Sequence, residues 1–405
     1  MGTDILSNLA NVLTSKTDKT VPLYINATVP LLDFMDKGTI LGKTVTFEGE
    51  DYFYIPAQVA LPEGLAWGGE NVALPTALQA DYDKFRLSWK KMHGVVEFSE
   101  EIIDLTKGAY ALVNGFKQNT LGLMKAAKLN LEAALHGDGS GVLATCASYS
   151  GQVVTVDSTK HLRPGMVLDG YDASMNHDAD GIVVTIINSD TTFTCTGTVT
   201  SVDSATKLYL EGSHSGSAER GASNGISNIV DDNDATFQNV DRTTNLWAKA
   251  KITDGATPGT AQALTEDRMN GVIDKVYKGS FGDVIDLIYT SIGVRNSYKN
   301  HLKDIGGSIE IMPKKTGFPA GLKYVYDGKE IPIYASTKAN AGTMYFLTKA
   351  HLLKYFGKMG WNTTDGLLKW KTGYLAFYAV WRGWFQHGTD WPEANGRLND
   401  ITETT

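Results

Sequence analysis

The 405-residue chain is 42% hydrophobic and 20% charged with a net charge of −8, so it is globular and long enough to bury more than one core. That acidic balance argues against a protein that grips nucleic acid electrostatically. Two cysteines, Cys146 and Cys195, are too few for a disulfide framework; they fall in one β-rich segment and could pair, but two reduced thiols are the expectation.

The start, Met1-Gly2-Thr3-Asp4-Ile5-Leu6, lacks the basic region and apolar core of an export signal, and Leu6 stands where myristoylation needs Ser or Thr. No run approaches the apolar length of a membrane span. Residues 1–40, cut by Pro22 and Pro30, read as an arm that packs on something else.

From Gly42 to Phe98 the signal is strand. Val45-Thr46-Phe47 and Tyr52-Phe53-Tyr54-Ile55 lead out, and Tyr82, Phe85, Leu87, Trp89, Val95, Val96 and Phe98 mark the return. The intervening tip, Pro56 to Ala80, carries Leu61, Leu65, Trp67, Leu74 and Leu78 and contains no Lys or Arg. One reading folds this tip onto its own domain. The other buries it in a neighbouring subunit, because long structureless loops are usually functional and large apolar patches mark interfaces.

Ser99 to His136 reads as a short helical turn, an interruption at Gly108, and one long helix of roughly 40 Å at 1.5 Å per residue. Leu112, Phe116, Thr120, Leu123, Ala127, Leu131 and Ala134 share a face, and Gly137 is the expected left-handed cap. Periodicity alone describes an ordinary amphipathic helix over a sheet.

Gly141 to Gly212 is rich in Thr, Val, Ser and Asp. Its five or so short strands suggest a small barrel or sandwich. The loop bearing Asp172, Asn176, His177, Asp178 and Asp180 lacks calcium-loop spacing and reads as solvated. A polar Ser/Gly linker follows, 213–224.

Beyond the linker, Thr265 starts a helix bearing Met269, Val272, Ile273 and Val276, and Ser291 caps a second one. Asp327-Gly328 is a hairpin turn, Thr348 is read as capping a short helix to Phe356, and Tyr374 to Phe385 is a final aromatic strand. These elements define an α+β fold. No phosphate loop, zinc-protease helix, Cys-x-x-Cys pair or nucleophile elbow occurs, and the eight histidines are scattered, so no catalytic, cofactor or metal residue is assigned.

One stretch is more specific. Gly225-Ile226-Ser227-Asn228-Ile229-Val230-Asp231-Asp232 followed by Asn239-Val240-Asp241-Arg242-Thr243-Thr244-Asn245-Leu246-Trp247 resembles the middle of major capsid proteins of tailed bacteriophages, with the Hong Kong 97 type of fold. The order of arm, long hairpin, spine helix and central domain resembles the same family. The resemblance implies an N-terminal arm (1–40), an extended hairpin (41–92), a peripheral domain with spine helix (93–140) and an inserted β domain (141–212). An axial domain (213–345), a peripheral return (346–372) and an axial strand with C-terminal tail (373–405) complete it. Asp231, Asp232, Asp241 and Arg242 are expected as an ion-pair cluster at the domain joint.

The function so implied is a coat protein that assembles with itself into hexamers and pentamers of an icosahedral shell around double-stranded DNA, in a virion built in the host cytoplasm. Scaffold, portal and decoration proteins are further partners, and no membrane or cofactor is involved. An encapsulin-like compartment shell is the nearest alternative, and a glycan-binding or hydrolytic virion protein a more distant one. Some relatives join subunits through a hairpin lysine. Here Lys43 and Lys84 lie nearer the base, so closure is expected to be non-covalent.

Overall fold

The computed structural model describes residues 30–404, apart from 39, 48–49, 61–62, 66, 68–75, 78, 100–108, 173, 175, 199–201, 203, 215–220, 281, 305–310, 313–320, 364–368 and 375. Most of the expected N-terminal arm therefore lies outside the described residues.

The spine helix runs Ala109–His136, 28 residues, or about 42 Å. Thr120, Met124, Ala127, Leu131 and Leu135 are buried, whereas Leu123 and Ala134 are half-buried, so the inward stripe is rotated slightly from the expected one. The helix ends as its sequence requires, but through different glycines. Gly137 keeps a negative φ, and the left-handed residues are Gly139 (φ 89°) and Gly141 (φ 86°). Gly225 then crosses the helix end so closely that a Cβ there would lie 2.2 Å from the Gly137 carbonyl oxygen and 2.4 Å from that of Ala134.

Around the spine lie five β structures among the described residues, the smallest a two-stranded hairpin of Thr236–Phe237 and Val240–Asp241. A hairpin of Glu50–Ala60 and Asp81–Ser88, joined by Leu41–Phe47, forms a three-stranded sheet. At its base Phe53, Ile55, Ala57, Phe85 and Leu87 point inward into the main core beside Trp89 and Tyr355. A second sheet centres on the long strand Ala376–Gly388, flanked along one edge by Lys90–Ser99 and along the other by Leu353–Trp361 and Lys369–Trp370. The spine packs on this sheet so tightly that a Cβ on Gly94 would meet Leu123 at 2.8 Å.

The central domain is a seven-stranded mixed sheet in the order 251–253, 396–398, 344–347, 287–291, 329–336, 321–326, 311–312. Its helices Glu266–Gly279 and Ile292–Asp304 close a separate core around Met269, Val272, Ile273, Ile288, Val294, Ile333 and Phe346. Thr265 and Ser291 cap these helices as expected, accepting from Arg268 N (3.4 Å) and Val294 N (3.2 Å). Asp327 (φ 45°) and Gly328 (φ 78°) make the expected tight turn.

Two expectations fail here. After Thr348 there is only one 3-10 turn, Lys349–His351, before the chain becomes the strand Leu353–Trp361. Leu353, Tyr355 and Trp361 are buried in the second sheet, and that packing overrides local helix preference. The strand Ala376–Gly388, expected in the axial domain, belongs instead to the sheet of the hairpin return. The C-terminal strand of the central sheet is Gly396–Leu398.

The inserted segment is a closed six-stranded barrel, from Ala144–Ser150 to Lys207–Leu210. The first strand escaped the sequence reading because its polar residues, Thr145, Ser148 and Ser150, mask the inward Ala144 and Cys146. The barrel has its own core, including Val154, Leu168, Ile182, Phe193 and Leu208, and both cysteines are buried within it as thiols, without a disulfide. No described helix is long and apolar enough to cross a membrane.

Candidate functional site

Two places carry the residues singled out in the sequence: the hairpin tip and the joint between the domains. At the tip, Leu65 is 94% and Trp67 106% exposed. Leu61, Leu74 and Leu78 lie outside the described residues. The described part thus presents large apolar side chains with no described residue over them, while the hairpin base is anchored. Phe85 meets Phe237 at 6.2 Å and Trp247 at 5.3 Å between ring centroids. On the outward face Lys84 stacks over Tyr54 (4.9 Å) and Arg86 over Tyr52 (4.6 Å), which stiffens the stalk by cation–π contact.

The joint differs in chemistry from the expected ion-pair cluster. Arg242 is fully buried, and its direct partners are three backbone carbonyls and one side-chain amide: Nε donates to Ala248 O (3.0 Å), Nη2 to Asn228 O (3.1 Å) and Ile229 O (3.5 Å), and Nη1 to Asn233 Oδ1 (3.5 Å). Its guanidinium lies 4.1 Å from the Phe237 ring centroid. Burial pulls its pKa down to about 10, with Asp231 and Asp232 opposing that shift, so it stays a cation at neutral pH. Asp231 pairs with Arg397 at 2.9 Å, a partner far along the chain. Asp241 caps its own turn by accepting from Thr243 N (2.8 Å). Asp232 is pushed up by burial and by Asp231 beside it.

Read residue by residue, the motif is a mechanical joint. Gly225 crosses the spine's last carbonyls, Ile226 and Ile229 enter the core, Gln238 and Asn239 turn a tight hairpin, Arg242 ties three carbonyls together, and Trp247 bears on the stalk. The spine is fixed to the central sheet by His136, whose Nε2 meets the Tyr289 hydroxyl at 2.6 Å and whose Nδ1 meets Glu132 O at 2.7 Å. Burial lowers its pKa to about 4. His351 bridges Asp283 and Asp390, both at 2.9 Å; its pKa is raised because the two carboxylates outweigh the cost of burial. Neither histidine could be identified from sequence, since their partners lie far along the chain.

The acidic loop is accounted for by its own hydrogen bonds. Asp172 accepts from Asn176 N and Nδ2, both at 2.8 Å, and Asp178 from Thr206 Oγ1 at 3.0 Å. Among the described residues, ligand atoms of Asp169, His177 and Asp180 lie within 4.8 Å of one another, but Asp169 already receives Gly212 N (2.8 Å) and Gly181 N (3.4 Å).

No protein-family model matches the chain, and no curated protein matches it in sequence. Solved structures do. The cyanophage A-1(L) capsid asymmetric unit is similar over 93% of each chain, with 14% identity and a TM-score of 0.54. The capsid of an empty GTA particle covers 93% of this chain and 91% of its own at 10% identity, with a TM-score of 0.48. The SrpI encapsulin from Synechococcus elongatus PCC 7942 covers 93% and 89% at 9% identity, with a TM-score of 0.45. The fold assignment rests on the first. The chain has the α+β capsid fold of the Hong Kong 97 type, carrying an inserted β-barrel.

Proposed function

We propose that this chain is the major capsid protein of a tailed bacteriophage, which assembles with copies of itself into an icosahedral shell around double-stranded DNA. One observation carries the reading beyond fold: a stalk anchored at its base holds Leu65 and Trp67 almost wholly in solvent. A monomer gains nothing from that arrangement, whereas a neighbour that covers the tip removes the apolar surface from water at every repeat of the contact. The net charge of −8 suits a container wall, because a strongly basic wall would bind its DNA too tightly for packaging and release. Scaffold, portal and decoration proteins are the further partners this role calls for. Assembly in the host cytoplasm and residence in the virion follow from the same role, and no reaction is assigned to the chain.

Electron microscopy and sedimentation of the expressed chain test this. Hexamers, pentamers or closed particles are expected. A well-folded monomer at high concentration, unchanged by any co-expressed scaffold, would overturn it.

A further inference from the structure

The barrel strands Val167–Tyr171 and His177–Ile187 pair antiparallel, with Leu168, Ala179 and Ile182 turned into the barrel core. Outside that core the same two strands bring Asp169, His177 and Asp180 together, so that one ligand atom from each lies within 4.8 Å of the other two. Residues three apart fall on opposite faces of a regular strand. Here two register shifts in the ladder, between Leu168 and Gly170 and between Gly170 and Tyr171, bring His177 and Asp180 to one side. Asp169 is only 4% exposed, and among the described residues its partners are two backbone N–H groups: Gly212 N on Oδ2 (2.8 Å) and Gly181 N on Oδ1 (3.4 Å). A carboxylate taken this far out of water is ordinarily paired with a cation or bound to a metal. The two amides hold it in place without neutralising it, and they leave acceptor capacity free, because an ionised carboxylate has about four acceptor sites. Neither the His177 ring nitrogens nor the Asp180 carboxylate has a hydrogen-bond or ion-pair partner among the described residues. The Tyr171 ring, 4.9 Å away between centroids, supports the His177 imidazole from the side.

The donor set narrows the ion. Two carboxylates and an imidazole suit zinc, whereas calcium and magnesium take oxygen ligands and gain little from a ring nitrogen. A tetrahedral zinc site with bonds of about 2.1 Å sets its donors about 3.4 Å apart. Small rotations of the exposed His177 and Asp180 side chains close that gap, while Asp169 stays where its amides hold it. We infer that Asp169, His177 and Asp180 form a zinc-binding site, with water in the fourth position. The ion ties the two strands together beside Gly212, where the chain leaves the barrel, so its effect is on barrel stability. Asp172 and Asp178 take no part, being bonded to Asn176 and Thr206. Loop spacing does not reveal the set, because Asp169 lies on the strand before the loop. The inference does not depend on the shell reading and is tested separately from it.

The test is calorimetric titration of the full-length chain, stripped with EDTA and dialysed, with zinc chloride, and with calcium and magnesium chloride for comparison. One zinc ion per chain is expected, bound at least ten-fold more tightly than calcium or magnesium, together with a rise in melting temperature. Asp180→Asn and His177→Gln change exposed side chains, so both are expected to fold, to melt like the parent in EDTA and to weaken zinc at least ten-fold. Asp178→Asn removes a neighbouring charge but no donor and is expected to leave zinc binding unchanged. Cobalt in place of zinc gives a readout independent of stability: a visible absorption spectrum that zinc abolishes and that His177→Gln lacks. No zinc binding, equal binding of calcium or magnesium, or zinc binding unchanged in either donor variant overturns the inference. Weak binding of several ions per chain, indifferent to the substitutions, marks an adventitious ion only and overturns it as well.

Discussion

The barrel and the hairpin are both β excursions from one body, and they treat their apolar side chains in opposite ways. The barrel closes on itself, so it has no free strand edge, and Val154, Leu168, Ile182 and Phe193 are wholly enclosed. The hairpin buries its base in the main core and leaves Leu65 and Trp67 outside. A module whose core is complete can be appended to a shell protein without altering how the shell closes. A stalk whose end is unfinished makes folding of one chain and association with the next parts of one process.

The sharpest way to break the comparison is to remove the tip. Replacing residues 61–80 with a two-residue turn should abolish particles while leaving a folded monomer, as judged by sedimentation and circular dichroism. Trp67→Ala is the milder version. Burying a side chain of that size is worth about 1.5–3 kcal/mol per contact, so the concentration needed for assembly should rise at least ten-fold while the monomer's melting temperature stays put. Because no lysine lies within the tip, assembled particles boiled in denaturing detergent should run as one band near 43.9 kDa; a ladder resistant to boiling and reductant would show covalent closure instead.

The hairpin's anchorage is tested at the joint. Arg242→Met strips three carbonyls of their donor and should cost about 3 kcal/mol in urea unfolding. If it costs less than about 1 kcal/mol, the joint is held by Trp247 and Phe237 packing alone.

Below the barrel, His136 sets a pH dependence. Its folded pKa, about 4, lies below the ordinary value of 6.5, so the folded state binds fewer protons than the unfolded chain. Its contribution is complete above pH 6.5 and is lost as pH falls toward 4, by about 3 kcal/mol at most. His351 runs the other way: its raised pKa adds stability that is present at acid pH and fades as pH rises through its folded value. Urea midpoints between pH 4.5 and 8 should show the acid-side loss, and His136→Gln should reduce it without removing it, because burial also lowers the pKa values of His387, to about 4, and His161, to about 3.

The smallest effect is expected from the barrel itself. It touches the body through Arg163 to Asn130 (2.8 Å), Lys160 to Asn340 (3.1 Å) and Lys338 to the Lys160 carbonyl. Replacing residues 141–212 with a Gly/Ser linker should lower the body's stability by about 1–3 kcal/mol and leave particles forming. A body that no longer folds would make the barrel integral and end the contrast with the hairpin.

The elements were largely legible because their periodicities are local. Met269, Val272, Ile273 and Val276 announce their helix, Asp327-Gly328 its turn, and the composition change at Gly141 its barrel. The joint was legible as a motif but not as chemistry. Nothing local says that Arg242 will meet carbonyls rather than Asp231, or that Asp231 will find Arg397, because those choices are made by packing across distant segments. The strand after Thr348 was missed for the same reason: Tyr355 and Trp361 are strand residues only once Ala376–Gly388 lies beside them.

The pairing of Lys90–Ser99 with Ala376–Gly388 has a consequence for synthesis. The two strands are made far apart in time, so while a ribosome is still translating the central domain, the platform on which the spine helix rests lacks its middle strand. The stalk's root is likewise unsupported, since Phe53 packs on Tyr355, which also arrives late. A nascent chain therefore exposes its sticky tip before it owns a rigid body to present it from. The tip is rigidly supported only once Ala376–Gly388 has emerged, which delays any association through it until that strand has been made.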